Sequence, residues 1–282
     1  MAIRCPNCQR KVDESGWCGT TDCLRPMHGV WRLMTKEFFQ KLDLYLASFQ
    51  LMRDKEGLRI TDSRLYEGMP YGDNYPRAFK NTWKEFRQDL DWLQKRMNGY
   101  RLKVLNYGSW NGWLSNRLVA WGHEVTAVSY FIDPFDGLGA KQHFSNDWLA
   151  IQMNIEELST LEKTFDVIIM NRGISFLMEP LKRIRDLQTK LTNGGRLFIT
   201  GLHIFDDPAQ REAHLATRAG RYKSDYDLEL FPFPTKGYLD QSDEKAMLQM
   251  GIGLTPGRSA ITHMVNRLLP TRPRYYYGYF EK

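Results

Sequence analysis

The chain has 282 residues, of which 42% are apolar and 13% aromatic, and its formal charge is +6. That length accommodates one large domain, or one domain with a small appendage, and the mild positive balance permits an anionic partner without requiring one. No run approaches the roughly 18 apolar residues of a membrane-spanning helix, and the opening Met-Ala-Ile-Arg-Cys lacks the apolar stretch of a secretory leader, so the protein is read as cytoplasmic.

The first expected element is a metal module over residues 1–34. All four cysteines fall here, as Cys5-Pro6-Asn7-Cys8, Cys18 and Cys23, a C-x2-C-x9-C-x4-C spacing. A two-residue gap turns both sulfurs of a knuckle toward one ion, and four thiolates complete a tetrahedral, structural zinc shell with no open position for catalysis. His28 is an alternative to one of the four ligands. Two disulfides, or four ordinary thiols, are the other readings, and a reducing compartment disfavours the first.

Residues 35–99 follow as a helical linker. Thr35 is a plausible N-cap for an amphipathic helix to about Lys55, with Phe38, Leu42, Leu46 and Phe49 on one stripe. Residues 57–75 read as a loop with Tyr66, Tyr71 and Tyr75 at its tips. A second helix is expected from Arg77 to Met97, carrying Phe79, Trp83, Phe86, Leu90 and Leu93 and ending at Asn98-Gly99. From residue 100 to 282 an alternating α/β pattern takes over, with strands expected at 102–107, 124–129, 149–153, 165–171 and 195–201. This predicts a mostly parallel sheet covered on both faces, with Arg274–Phe280 as an antiparallel edge strand and 206–260 as a mixed, loop-rich stretch.

The run Val104-Leu105-Asn106-Tyr107-Gly108-Ser109-Trp110-Asn111-Gly112-Trp113 joins a strand to a helix through a glycine turn, which brings backbone close to a ligand and aims helix N–H groups at it. It resembles the first cofactor motif of class I S-adenosylmethionine-dependent methyltransferases, acid-x-Gly-x-Gly-x-Gly. Four further segments resemble that family in the same order: 122–129 ending at Ser129, 152–156 with Asn154 and Ile155, 165–172 with Asn171 and Arg172, and Leu191-Thr192-Asn193-Gly194-Gly195-Arg196-Leu197. The resemblance spans about residues 100–202. It implies a Rossmann-like sheet, S-adenosyl-L-methionine as cofactor, and cofactor contacts at Asn106, Gly108, Ser109, Trp110, Gly112, Ser129, Asn154, Ile155 and Asn171. Asn106, Ser129 and Asn154 stand where the family carries carboxylates, and Trp110 where it carries the middle glycine. The Trp110 ring either crowds the cofactor or turns into packing while its backbone lines the turn. Asp133 is either a substitute ribose acceptor or the first residue of an Asp-Pro turn.

Ligands of open α/β sheets sit beyond the carboxyl ends of the strands. This nominates Asn171, Arg172 and His203 for chemistry, with His203 as general base because imidazole titrates near neutrality. A histidine bonded to backbone is the alternative reading. Arg172 binds an anionic group or pairs with Asp206 or Asp207, and His143 is a second base candidate. Tyr66 and Tyr71 either close over the pocket or stand in solvent. The expected activity is a methyltransferase with a small-molecule or sugar acceptor. The layout also resembles bacterial ribosomal-RNA guanine methyltransferases with an N-terminal zinc site, which makes rRNA or tRNA the alternative acceptor. Lysine and arginine are scattered, with Arg267, Arg272 and Arg274 the one dense group. Rivals from other classes are a non-catalytic protein on the same fold and a zinc-dependent adaptor.

Overall fold

A computed structural model describes residues 3–72, 75, 80–97, 99–257, 265, 266, 268, 269 and 272–282. Pro76, Arg77, Phe79, Asn98 and Arg267 lie outside the described residues. The chain divides into two compact units, Met1–Phe165 and Asp166–Lys282.

The first unit opens with a small cysteine-bearing hairpin, in which Arg4 and Lys11 bridge antiparallel. It continues into β1 (Val30–Leu33) and α1 (Lys36–Lys55). Thr35 caps α1 as expected, its hydroxyl accepting from the Phe38 N–H at 3.2 Å. Then come α2 (Lys80–Gln94), β2 (Lys103–Tyr107), α3 (Trp113–Ala120), β3 (Glu124–Ser129) and β4 (Leu149–Met153). The four strands lie in the order β1-β4-β3-β2, each pair parallel. After its exposed first residue β2 is buried throughout, and so is β3. Burial on both faces is why these segments read as near-continuous apolar runs rather than alternating ones. Val104, Leu105, Ala127, Val128, Ala150 and Ile151 form the heart of this core.

β1 was not expected. Its four residues sit at the end of the stretch assigned to the cysteine module, too short to display periodicity, and they extend the sheet beyond β4. Asn7 ties the cysteine knuckle to the same region. Its side chain donates to Met34 O at 3.0 Å and accepts from Lys36 N at 2.9 Å.

The second unit begins with β5 (Phe165–Asn171) and α4 (Pro180–Thr189), where proline occupies the first helical turn, a position whose N–H would have no intrahelical acceptor. β6 runs Leu191–Phe205, and α5 (Ala209–Tyr226), β7 (Leu239–Asp240), α6 (Gln241–Gln249), β8 (Gly253–Pro256) and β9 (Arg274–Glu281) complete it. The strand order is β5-β6-β9-β8, with β7 parallel to β6. β9 is antiparallel to both neighbours and lies at that edge of the sheet, with the short β8 outside it. Mostly parallel strands, one antiparallel strand near an edge, helices between them and clustered N-terminal cysteines are the architecture the sequence predicts.

Two expectations in this unit need correction. β6 is far longer than 195–201, so the strand does not end before His203. And the mixed stretch 206–260 holds two helices, α5 and α6, that were not expected: α5 escaped notice because only Leu215 and Tyr222 of its residues are buried, too few to print a stripe.

Among the described residues no helix is long and apolar enough to cross a membrane.

Candidate functional site

The turn between β2 and α3 is built on two left-handed glycines, Gly108 at φ +72° and Gly112 at φ +84°. Gly112 caps α3, and a side-chain carbon there would strike the Trp148 ring at 2.6 Å. Gly108 is the opposite case, since a carbon added to it would meet nothing within 4 Å. One glycine is therefore required by packing, and the other faces open space. Ser109 pins the turn to the neighbouring strand by donating its N–H to Val128 O at 2.9 Å.

The Trp110 ring turns into packing. It stacks against Trp83 at 6.1 Å between centroids and tilts against Phe86, while the Arg53 guanidinium lies 5.5 Å from its centre. Trp113 adds an edge-on contact with Trp83 and a stacked one with Phe86. The aromatic excess of the sequence is thus spent on fixing α2 against the turn.

Asn106, Ser129 and Asn154 all bond locally. Asn106 is 2% exposed, and its amide donates to the hydroxyls of Ser115 at 2.8 Å and Ser109 at 3.1 Å. Ser129 ends β3 and accepts from the Phe131 N–H at 3.3 Å. Asn154 follows β4 and accepts from Glu156 N at 3.1 Å and the Tyr130 hydroxyl at 3.3 Å. Ile155 is held by its own carbonyl, which accepts from the Tyr107 hydroxyl at 2.7 Å. Each of the three polar side chains staples the loop it belongs to.

Asp133 takes the turn role. One oxygen accepts from the N–H groups of Phe135 and Asp136, both at 2.8 Å, and the other from Arg59 at 2.6 Å. Beside it Asp136 pairs with Arg53 through two hydrogen bonds. Burial pushes the Asp136 carboxyl above the usual carboxylate range, against the pull of Arg53. Tyr66 is neither a lid nor a solvent residue. It is fully buried, donating to Ile60 O or Phe135 O from the same hydroxyl, because the loop 57–72 folds under the 131–137 segment. His143 is likewise structural, with Nε2 2.9 Å from Pro134 O and its ring stacked on Phe135. Tyr71 is half exposed, with Arg117 over its ring.

In the second unit, Asn171 ends β5 and donates to the Thr200 hydroxyl at 2.6 Å. Arg172 adopts φ +55° and its N–H donates to Thr200 O. Its side chain crosses Gly201, where an added carbon would meet Arg172 Cγ at 2.4 Å. Gly201, at φ +65°, lies where the β6–β9 register shifts, a bulge that only glycine forms readily. Asp206 accepts from Arg274 at 2.7 Å and from Gln241 at 3.0 Å. His203 lies within β6, opposite Tyr275, with the two rings edge to face at 4.6 Å. It lines a cavity of about 420 Å³ together with Ser175, Gln210, Arg211, His214 and Tyr238. Sequence reasoning missed that cavity, to which the unrecognised α5 contributes Gln210, Arg211 and His214.

The four cysteine Sγ atoms lie within 4.8 Å of one another, and Cys5 and Cys23 approach to 3.5 Å. A tetrahedral zinc with bonds of about 2.3 Å spaces its sulfurs about 3.8 Å apart, so the donor set matches that ion. All four are free thiols, which disposes of the disulfide reading, and His28 does not belong to the group. Backbone N–H donors, that of Arg10 foremost, lower the Cys8 thiol to about 6, while burial pushes Cys5 and Cys23 up.

Residues 105–199 match the family model described as a methyltransferase domain. No curated protein matches the chain. Among solved structures, magnesium protoporphyrin IX methyltransferase of Synechocystis PCC 6803 with bound SAH is 16% identical, with 83% of this chain and 98% of that one covered and a TM-score of 0.46. The plantazolicin methyltransferase BamL, in complex with a desmethyl analogue and SAH, is 14% identical over 83% and 98% of the two chains, with a TM-score of 0.47. Ribosomal protein L11 methylase from Lactobacillus delbrueckii subsp. bulgaricus is 15% identical over 76% and 91%, with a TM-score of 0.43. The residues that match that model, 105–199, include most of the glycine turn and the ordered segments after it.

Proposed function

We propose that the protein is an S-adenosylmethionine-dependent methyltransferase acting on a small-molecule or sugar acceptor. The observation that carries this reading is the open space over Gly108 at the left-handed turn into α3, inside the segment that matches the methyltransferase family. When bound, the cofactor supplies an electrophilic methyl group on a sulfonium centre. Backbone at Gly108, Ser109, Trp110 and Gly112 would cradle it, with the segments at Ser129, Asn154 and Ile155 bordering its nucleoside part. With three family carboxylates replaced and their replacements bonded locally, binding rests on backbone and apolar contact rather than charge-assisted bonds, which are about twice as strong as neutral ones. His203 would take the acceptor proton, and Asn171 and Arg172 would position the acceptor.

Support for a small acceptor over RNA comes from charge. Arg53, Arg59, Arg183 and Arg274 are paired with carboxylates instead of forming a basic face. The four cysteines would hold a structural zinc, consistent with a short segment that has little core of its own.

The test is equilibrium binding of S-adenosylhomocysteine to wild type and to Gly108→Asn. Asparagine tolerates the left-handed region, so the fold survives while the side chain enters the open space. Affinity should fall at least about tenfold, the loss of one or two charge-independent contacts. Equal affinity in the variant would remove the site from this turn. The inward bonds of Asn106, Ser129 and Asn154 favour a second reading, a protein of this fold that binds no cofactor, and absence of binding in wild type would select it.

A further inference from the structure

The cavity in the second unit contains a cation, Arg211, for which no salt bridge to a carboxylate is found among the described residues. Arg211 lines it from α5, with Nη1 3.5 Å from His214 Nδ1 and a buried Nε that has no hydrogen-bond partner among the described residues. The carboxylates nearest in sequence are all engaged elsewhere. Asp206 accepts from Arg274 and Gln241, Asp207 from Ala209 N, and Glu212 from the Tyr238 hydroxyl. Burial lowers the Arg211 guanidinium from its ordinary value, and the positive charge of Arg218 lowers it further. A guanidinium held near a second arginine and a histidine, with a buried donor facing no acceptor, is unfavourable alone. It becomes favourable when an anion supplies acceptors for the fork.

We infer that this cavity binds an oxyanion, the phosphate monoester or carboxylate group of a small-molecule ligand, with Arg211 as the principal donor. His214, Gln210 and Tyr238 surround it with further polar groups, and at about 420 Å³ the space falls in the usual range of small-molecule pockets. His203 lines the same cavity, so a ligand anchored by Arg211 would lie beside the proposed base. The inference itself is about binding and does not depend on methyl transfer.

The experiment follows the ring C–H resonances of His203 and His214 in the full chain during titration with inorganic phosphate and, separately, with acetate, at ionic strength fixed with chloride. A saturable shift with either anion is expected. Stronger phosphate binding identifies the phosphate ester as source, and equal or stronger acetate binding identifies the carboxylate. Arg211→Gln should weaken binding about tenfold or more, the scale of a charge-assisted hydrogen bond, and Arg211→Lys, which keeps charge but loses the fork, should fall between. Should Arg211→Gln fail to fold, His214→Gln on the exposed face of α5 carries the same test with a loss of about threefold. Resonances that move no more than in chloride, or variants that titrate like wild type, would overturn the inference. Binding of S-adenosylhomocysteine is read separately, so failure of one reading leaves the other measurable.

Discussion

At the scale of the residue, the polar side chains that stand where the resemblance expects carboxylates are bonded locally. Asn106 is buried among two serine hydroxyls that it satisfies together, and its apolar isostere would leave both without their donor. Asn106→Leu should therefore cost about 2 kcal/mol, read as a lowered midpoint in urea with an unchanged slope. The Trp110 ring spans Trp83, Phe86 and Arg53, so Trp110→Ala should cost about 3 kcal/mol in the same measurement. The sequence showed the end of β2 and the glycine turn after it, because strand ends and glycine spacing are local. It left open where the Trp110 ring points and what Asp133 bonds to. Both are decided by partners far along the chain: Trp83 and Phe86 for one, Arg59 for the other.

At the scale of the element, the strands were legible where burial on both faces writes an apolar run, as in β3 and β4, whose observed bounds coincide with the expected ones. α5 was hidden by its sparse buried face, and β1 by its length. α6 shows how local chemistry sets an element boundary. Asp240 accepts from Ser242 N and Asp243 N while Asp243 bonds back to Asp240 N, a reciprocal cap. Burial works to raise the Asp240 carboxyl, yet the hydrogen bonds from Lys236 and Ser242 outweigh it and hold the group below the usual range. A carboxyl depressed in the fold adds stability that is present above its unfolded value, about 3.9, and is lost as pH falls below it. Asp240→Asn keeps an acceptor at the cap and removes the titration. Its melting temperature should fall short of wild type most at neutral pH, and the gap should narrow progressively as pH falls below about 4. Asp240→Ala should cost about 1 kcal/mol at neutral pH.

At the scale of the whole molecule, the two units carry different parts of the proposed function. The first holds the glycine turn and the four-cysteine cluster, and the second holds Asn171, Arg172 and the His203–Arg211 cavity. If the cysteines bind structural zinc, elemental analysis should give about one equivalent per chain, and chelation should lower the melting temperature, because ion binding to the folded state alone stabilises it by mass action. Less than half an equivalent would favour ordinary thiols. The central claim, that the turn after β2 still receives the cofactor without the family carboxylates, is tested most directly by calorimetric titration of the intact protein with S-adenosylhomocysteine. The account predicts saturable heat at one site per chain. No heat at roughly millimolar ligand, a free-energy limit near −4 kcal/mol, would contradict it.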